Sequence, residues 1–213
     1  MSYPEFDDRR QAGQALAAAL RDKPLHDPLV LALPRGGVPV GHEVAHALRA
    51  PLDILLVRKI GVPGNEEFAL GAVVDGIQPK WVVDEDMLKL FDLPPGWFDQ
   101  QLAVQLQEIE RRRALYCGAR LPVARENRDI ILVDDGLATG STVRAALQAL
   151  YDPPARRIIL AVPVGALPTL ERLRPLVDEL ICLVTPEPFQ AVGNHYRDFR
   201  QVSDQEVVAL LAP

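Results

Sequence analysis

DIILVDDGLATGST (129–142) is the stretch on which the reading of this chain turns. Its first part, DIILV (129–133), reads as a short buried strand. Two adjacent carboxylates, Asp134 and Asp135, end that strand, and small residues and hydroxyls lead into a helix over Ser141 to Leu150. Small residues let the backbone approach a ligand closely. The free N–H groups and the dipole at a helix start favour an anion, typically phosphate. Ala138, Thr139, Gly140, Ser141 and Thr142 form that start, and three of them carry hydroxyl donors. Asp134 and Asp135 would repel a phosphate, but they suit sugar hydroxyls, or Mg2+ held directly or through its water shell. A phosphate grip beside a diol grip describes a site for a ribose 5-phosphate. The loop is not a Walker loop, because Gly-Lys-Ser/Thr is missing.

Working outward, apolar runs alternate with helical segments. A helix over 9–22 stops near Lys23-Pro24, because the residue before proline avoids the helical region. LVLAL (29–33) reads as a buried strand, PRGG (34–37) follows it, and a helix spans about 38–49. LDILLV (52–57) is the next strand, ending at Arg58-Lys59. Residues 61–80 are dense in glycine and proline and read as a mobile loop with a short hairpin at GAVV (71–74). WVV (81–83) reads as a strand, Asp84 as the cap of a brief helix to Phe91, and 97–117 as a long helix with Leu102, Leu106, Ile109 and Tyr116 on one face. RIILAVPV (157–164), a helix near 168–175, ELICLV (179–184) and a Ser203/Glu206 capping box complete the chain. This alternation predicts an α/β fold, a doubly wound, mainly parallel sheet covered on both faces. It predicts one domain over 1–213 with an insertion at 75–125. Ligands of such sheets bind beyond the carboxyl ends of the strands. PRGG is one such end, where Arg35 supplies a fixed cation and Gly36 and Gly37 free backbone N–H groups for a second anion.

The 213 residues include 48% hydrophobic and 24% charged positions, enough apolar surface to exclude a disordered chain. Twenty-three Lys and Arg stand against 29 Asp and Glu, a net charge of −6. That balance argues against nucleic-acid or anionic-membrane binding and leaves room for a local basic pocket. Two cysteines, Cys117 and Cys182, make no disulfide framework. No apolar run reaches the length of a membrane span, and the first residues lack a signal-peptide pattern. The expectation is a cytoplasmic protein.

VDDGLATGST (133–142) and PRGG (34–37) together resemble the signature loop and pyrophosphate loop of the type I phosphoribosyltransferases. RKIGVPGNEEFALGAV (58–74) and TPEPFQAVGNHYRDF (185–199) resemble a little-characterised bacterial branch of that family. The resemblance implies an enzyme of nucleotide salvage. It would transfer ribose 5-phosphate from phosphoribosyl pyrophosphate (PRPP) to a nitrogenous base through an oxocarbenium-like state, with Mg2+ as cofactor. It implies that Asp134 and Asp135 bind the ribose hydroxyls and Mg2+, that Ala138 to Thr142 hold the 5-phosphate, and that Arg35, Gly36 and Gly37 bind pyrophosphate with help from Arg58 or Lys59. It further implies a cis peptide at Pro34–Arg35, a lid over 61–74, a homodimer, and a C-terminal hood over 185–213 in which Phe189 and Tyr196 could stack a base. Packing explains those two aromatics equally well. Ala138 stands where the 6-oxopurine branch has an aspartate, so the acceptor base stays open.

Other readings compete. The same site could belong to a PRPP- or nucleotide-binding regulator that performs no transfer. His42-Glu43-Val-Ala-His46 matches the zinc-peptidase pattern H-E-x-x-H, with Asn65-Glu66-Glu67 downstream as a source of a third ligand. It also lies on the helix that must follow PRGG, where the motif is accidental. Arg111-Arg112-Arg113 reads as a solvated helix face.

Overall fold

The computed structural model describes residues 5–63, 65–91, 93–150 and 155–212, with the backbone alone at 65–69 and 87. Its elements in chain order are α1 (Arg9–Leu20), β1 (Leu29–Ala32), α2 (Gly37–Leu48), β2 (Leu52–Ile54), β3 (Val57–Val62), β4 (Asn65–Val74), β5 (Lys80–Val83), α3 (Glu85–Leu90), α4 (Trp97–Cys117), β6 (Asp129–Val133), α5 (Ser141–Leu150), β7 (Arg157–Val164), α6 (Leu167–Leu173), β8 (Glu179–Val184) and α7 (Asp204–Leu211). Five strands form a parallel sheet in the order β2-β1-β6-β7-β8. The order runs outward in both directions from β1 and β6, so the chain reverses its winding between them.

Side-chain alternation along each strand builds the two faces. Val30, Ile131, Val133 and Ile159 pack against Leu16 and Leu20 of α1 and Val40 and Val44 of α2. Leu31, Ile130, Leu132 and Leu160 pack against Val143 and Leu147 of α5 and Leu170 of α6. Each fully buried side chain of this size contributes about 1.5–3 kcal/mol relative to exposure. The predicted doubly wound sheet is therefore present.

The stretch after β2 differs from its reading. LDILLV was expected to be one strand. Only Leu52–Ile54 joins the parallel sheet, and the chain then leaves it for an antiparallel sheet ordered β3-β4-β5. The expected loop over 61–80 is mostly strand: β4 is ten residues long and pairs on both sides. Gly61 sits at the register shifts of β3 against β4, where a bulge accommodates a residue lacking a side chain, and Gly71 is paired on both sides within β4. The residues expected as a lid are thus a paired hairpin. From the stretch 75–125, expected as an insertion, come β5, α3 and α4, none of which pairs with the parallel sheet.

The long helix α4 has the predicted bounds, with Ile109 and Tyr116 buried and Leu102 and Leu106 packed on the same cluster as Ile60, Val73, Val207 and Leu211. The expectation for its arginines needs correction. Arg111 and Arg112 pair with Glu108, pulling that carboxyl down to about 2 through their hydrogen bonds. Arg113 turns inward instead. Its Nη2 donates to both oxygens of the buried Asp53, at 2.8 and 2.7 Å, and its Nη1 donates to Asp75 Oδ2 at 2.9 Å. Cys117 and Cys182 are half-buried free thiols, and burial raises the pKa of both. Among the described residues no helix is long and apolar enough to cross a membrane.

Both halves of the predicted capping box are present: Ser203 Oγ accepts from Glu206 N at 3.1 Å, and Ser203 N donates to Glu206 Oε2 at 2.8 Å. This fixes the first turn of α7, where Asp204 accepts from Tyr116 Oη at 2.6 Å. Ser203→Ala is expected to cost about 1 kcal/mol, read as a lower midpoint in chemical denaturation with an unchanged slope.

Candidate active site

β1 and β6 are neighbours in register, Ala32 opposite Val133, so the loops that follow them leave the sheet side by side. Leu33 N donates to Val133 O at 2.9 Å, extending the pairing to the point of divergence. Beyond it PRGG turns into α2, with the Pro34–Arg35 peptide cis as the resemblance implied. Its two glycines are needed for space. A β-carbon on Gly37 would lie 2.8 Å from Val133 O, and one on Gly36 would overlap the Asp135 carboxylate.

The loop 134–140 is tied to the neighbouring strand end. Leu137 N donates to Val164 O and Ala166 N donates to Leu137 O, both at 2.9 Å, and Thr169 Oγ1 donates to Ala138 O at 2.6 Å. Gly140 has φ 72, and a β-carbon there would lie 2.6 Å from Thr169 Cγ2, so conformation and space both require glycine. The hydroxyls of Thr139 and Ser141 stand exposed at 3.5 Å from each other at the start of α5.

Asp134 and Asp135 are half-buried side by side. Asp134 Oδ1 accepts from Asp135 N at 2.9 Å, and Asp135 Oδ2 accepts from Arg9 Nε at 2.7 Å. Each carboxylate therefore has one oxygen engaged and one that accepts nothing from the described residues. Desolvation by burial raises both pKa values, and the proximity of Asp135 raises that of Asp134 further. Arg9 opposes the shift at both.

The predicted residues do not all converge. Lys59 reaches the start of α5, its Nζ 3.4 Å from Ser141 Oγ. Arg58 donates through Nε to Gln105 Oε1 of α4 at 2.9 Å, although it shares with Lys59, Trp97 and Thr142 the wall of a cleft of about 480 Å³. The pair lies inside β3 rather than at a parallel strand end, so its two side chains point to different partners. Arg35 lies 3.7 Å from Asp204. Tyr196 is 5% exposed, its ring lies 5.6 Å from Phe6 and 5.0 Å from Phe199, and its hydroxyl donates to Asp135 O at 2.6 Å. A ring so enclosed is a packing and anchoring residue, not an open stacking platform. Phe189 is half-buried against His195, centroids 5.8 Å apart.

The H-E-x-x-H residues are used otherwise. His42 Nδ1 lies 3.0 Å from Leu210 O, Glu43 accepts from Arg10 and Gln14, and His46 is exposed. The side chains of Asn65, Glu66 and Glu67 lie outside the described residues. Among those described, no group of three His, Cys, Asp or Glu side chains is arranged to hold a metal ion.

Sequence reading missed Arg9, Asp204 and Tyr116. Two adjacent half-buried carboxylates signal the need for a nearby cation, but nothing local to Asp8-Arg9-Arg10 shows that Arg9 answers it. A cavity of about 700 Å³ lies apart from these loops, between α4, residues 118–122 and the stretch Asp75 to Pro79.

The parallel α/β sheet thus carries PRGG, the Asp134–Asp135 pair and the loop that opens α5 at adjacent strand ends. The phosphoribosyl transferase domain matches residues 3–196, and the chain belongs to that family. A Mycobacterium tuberculosis protein that carries the provisional name of phosphoribosyl transferase is 44% identical over 207 residues, 97% of this chain and 46% of that protein. The chain thus spans about half the length of that curated relative. The crystal structure of TT1426 from Thermus thermophilus has 43% identity and a TM-score of 0.85, covering 97% of both chains. A bifunctional protein PyrR from Brevibacillus brevis is 30% identical over 126 residues, 59% of this chain and 64% of its own.

Proposed function

We propose that this protein is an enzyme that transfers ribose 5-phosphate from PRPP to a nitrogenous base and releases pyrophosphate. The observation that carries this reading is the abutment of the two loops, so close that Gly36 has no room for a β-carbon against Asp135. That contact would bring a pyrophosphate site and a ribose site to the two ends of one scissile C1–O bond. The 5-phosphate would sit on Ala138 to Thr142, with Lys59 adding positive charge at Ser141. Arg35, Gly36 and Gly37 would take the pyrophosphate. The C1–O bond breaks, a C1–N bond to the base forms, and the base loses a proton. Positioning and charge neutralisation supply most of the acceleration in such a step. Phe189 would border the base, and residues 185–213 would act as a hood on a single domain over 1–213 with 75–125 inserted.

Mg2+ fits the donor set. Asp134 and Asp135 each offer a hard carboxylate oxygen, and desolvation leaves both short of compensating positive charge. Two carboxylates are too few for a protein cage, which suits an ion that keeps water and completes its shell with substrate oxygens. When bound, it would neutralise charge on the pyrophosphate.

The test is calorimetric titration with PRPP and Mg2+, followed by pyrophosphate release with a panel of bases. Wild type is expected to bind saturably, and Asp134→Asn with Asp135→Asn to abolish binding. Undiminished binding or turnover in the double variant refutes the assignment. Binding without release for any base would favour the nucleotide-sensing regulator over the enzyme.

A further inference from the structure

We propose that Arg9 is a positioning residue of the ribose site, fixing the Asp135 carboxylate so that one oxygen of each aspartate faces the sugar hydroxyls. This rests on the ribose-binding reading above. Arg9 opens α1, 126 positions before Asp135, and its side chain is 11% exposed. Its Nε donates to Asp135 Oδ2 at 2.7 Å and its Nη1 to Arg200 O at 2.8 Å, and its guanidinium carbon stands 3.9 Å from the centre of the Phe199 ring. Phe199 in turn packs on Tyr196, whose hydroxyl holds the Asp135 backbone carbonyl. Asp135 is therefore gripped at both ends, and one aromatic ring braces both grips. Among the described residues Arg9 is the one cation within ion-pair distance of either site carboxylate.

The consequence is a division of oxygens. Arg9 occupies Asp135 Oδ2, and the Asp135 N–H occupies Asp134 Oδ1. Asp135 Oδ1 and Asp134 Oδ2 remain, two acceptors for two neighbouring hydroxyls. Without the guanidinium fork, Asp135 would regain rotamer freedom beside a like charge, and the acceptor pair would lose its fixed spacing. Arg9 donates to no residue of PRGG or of Ala138 to Thr142, so the residues proposed for the two anions would keep their own contacts.

The experiment titrates ribose 5-phosphate, its 2-deoxy and 3-deoxy analogues, and inorganic pyrophosphate into wild type, Arg9→Gln and Arg9→Lys. A charge-assisted hydrogen bond of this kind predicts that Arg9→Gln weakens ribose 5-phosphate roughly 10- to 100-fold. Pyrophosphate affinity should stay within about twofold, and Arg9→Lys, which keeps the charge without the fork, should recover part of the loss. The penalty of Arg9→Gln should shrink for the analogue lacking the hydroxyl that Asp135 holds, which a purely structural role would not produce. Equal losses for all four ligands, or no loss for ribose 5-phosphate, overturn the role of Arg9 while leaving the ribose site standing. A wild-type protein that ignores ribose 5-phosphate and PRPP overturns the ribose reading itself, and the role of Arg9 falls with it.

Discussion

Gly36→Ala is expected to lower PRPP affinity about 100-fold or more while leaving the protein folded. The backbone at Gly36, with φ −59 and ψ −35, is one that alanine adopts readily, so the effect comes from the added methyl alone. That methyl would overlap Asp135 Oδ2, the oxygen that accepts from Arg9. Two adjustments are open. Asp135 can rotate and break its ion pair, or the PRGG loop can retreat from β6. Either one separates the second anion loop from the carboxylate pair, and overpacking of this kind costs about 1–3 kcal/mol of stability. The double variant Gly36→Ala/Asp135→Ala identifies the clash. With the carboxylate gone, its melting temperature should match that of Asp135→Ala alone, because neighbours in contact do not add. Calorimetry with PRPP checks the first expectation and thermal denaturation the second. Unchanged PRPP affinity in Gly36→Ala would mean that the two loops do not act on one ligand.

What the sequence made legible was local. DIILV, RIILAVPV and ELICLV have the predicted strand bounds, and 97–117 and 141–150 the predicted helix bounds, because each is an uninterrupted pattern bounded by polar or turn residues. The juxtaposition of PRGG with DDGLATGST was legible too, since parallel strands present their carboxyl ends together. Residues 61–80 were misread because glycine and proline were counted as breakers. Pairing β4 on both edges supplies hydrogen bonds that no local propensity reports. Arg9, Asp204 and Arg113 were illegible for a related reason. Each meets a partner at least 38 positions away, and an arginine beside other charges reads the same whether solvated or clamped.

Such long-range charge pairs also join the ends of the chain to the site. Arg9 holds Asp135 from α1, while Asp204 at the start of α7 lies near Arg35 and accepts the Tyr116 hydroxyl. The hydroxyl's pKa is pushed up to about 12, mainly by burial. PRGG and the loop after β6 are thus braced by segments that contribute no strand to the sheet.

Arg113→Met is expected to destabilise the fold by roughly 3–5 kcal/mol at pH 8, a fall in melting temperature on the order of 10 °C. Methionine keeps most of the stem's packing and removes the guanidinium, taking the ion pair from Asp75 at 3% exposure and leaving Asp53, at 1%, with Arg120 at 3.7 Å. Burial pushes the Asp75 carboxyl up from 3.8 to about 6, and Arg113 is the largest influence holding it down. The sign of the pH dependence follows. A folded pKa above the unfolded one means that the native state retains a proton between about pH 4 and 6 that the unfolded chain has released. For this group, wild-type stability therefore falls as pH rises through that window and is level above it. Removing Arg113 lifts the folded pKa further and carries the decline toward neutral pH. The gap between wild type and variant should accordingly be smaller at pH 5, where Asp75 is largely protonated in both, than at pH 8. Arg113→Met/Asp75→Asn should recover part of the loss at pH 8 and little at pH 5. Denaturant titrations at the two pH values measure all three proteins, and a deficit independent of pH would show that Asp75 is not the carboxylate Arg113 stabilises.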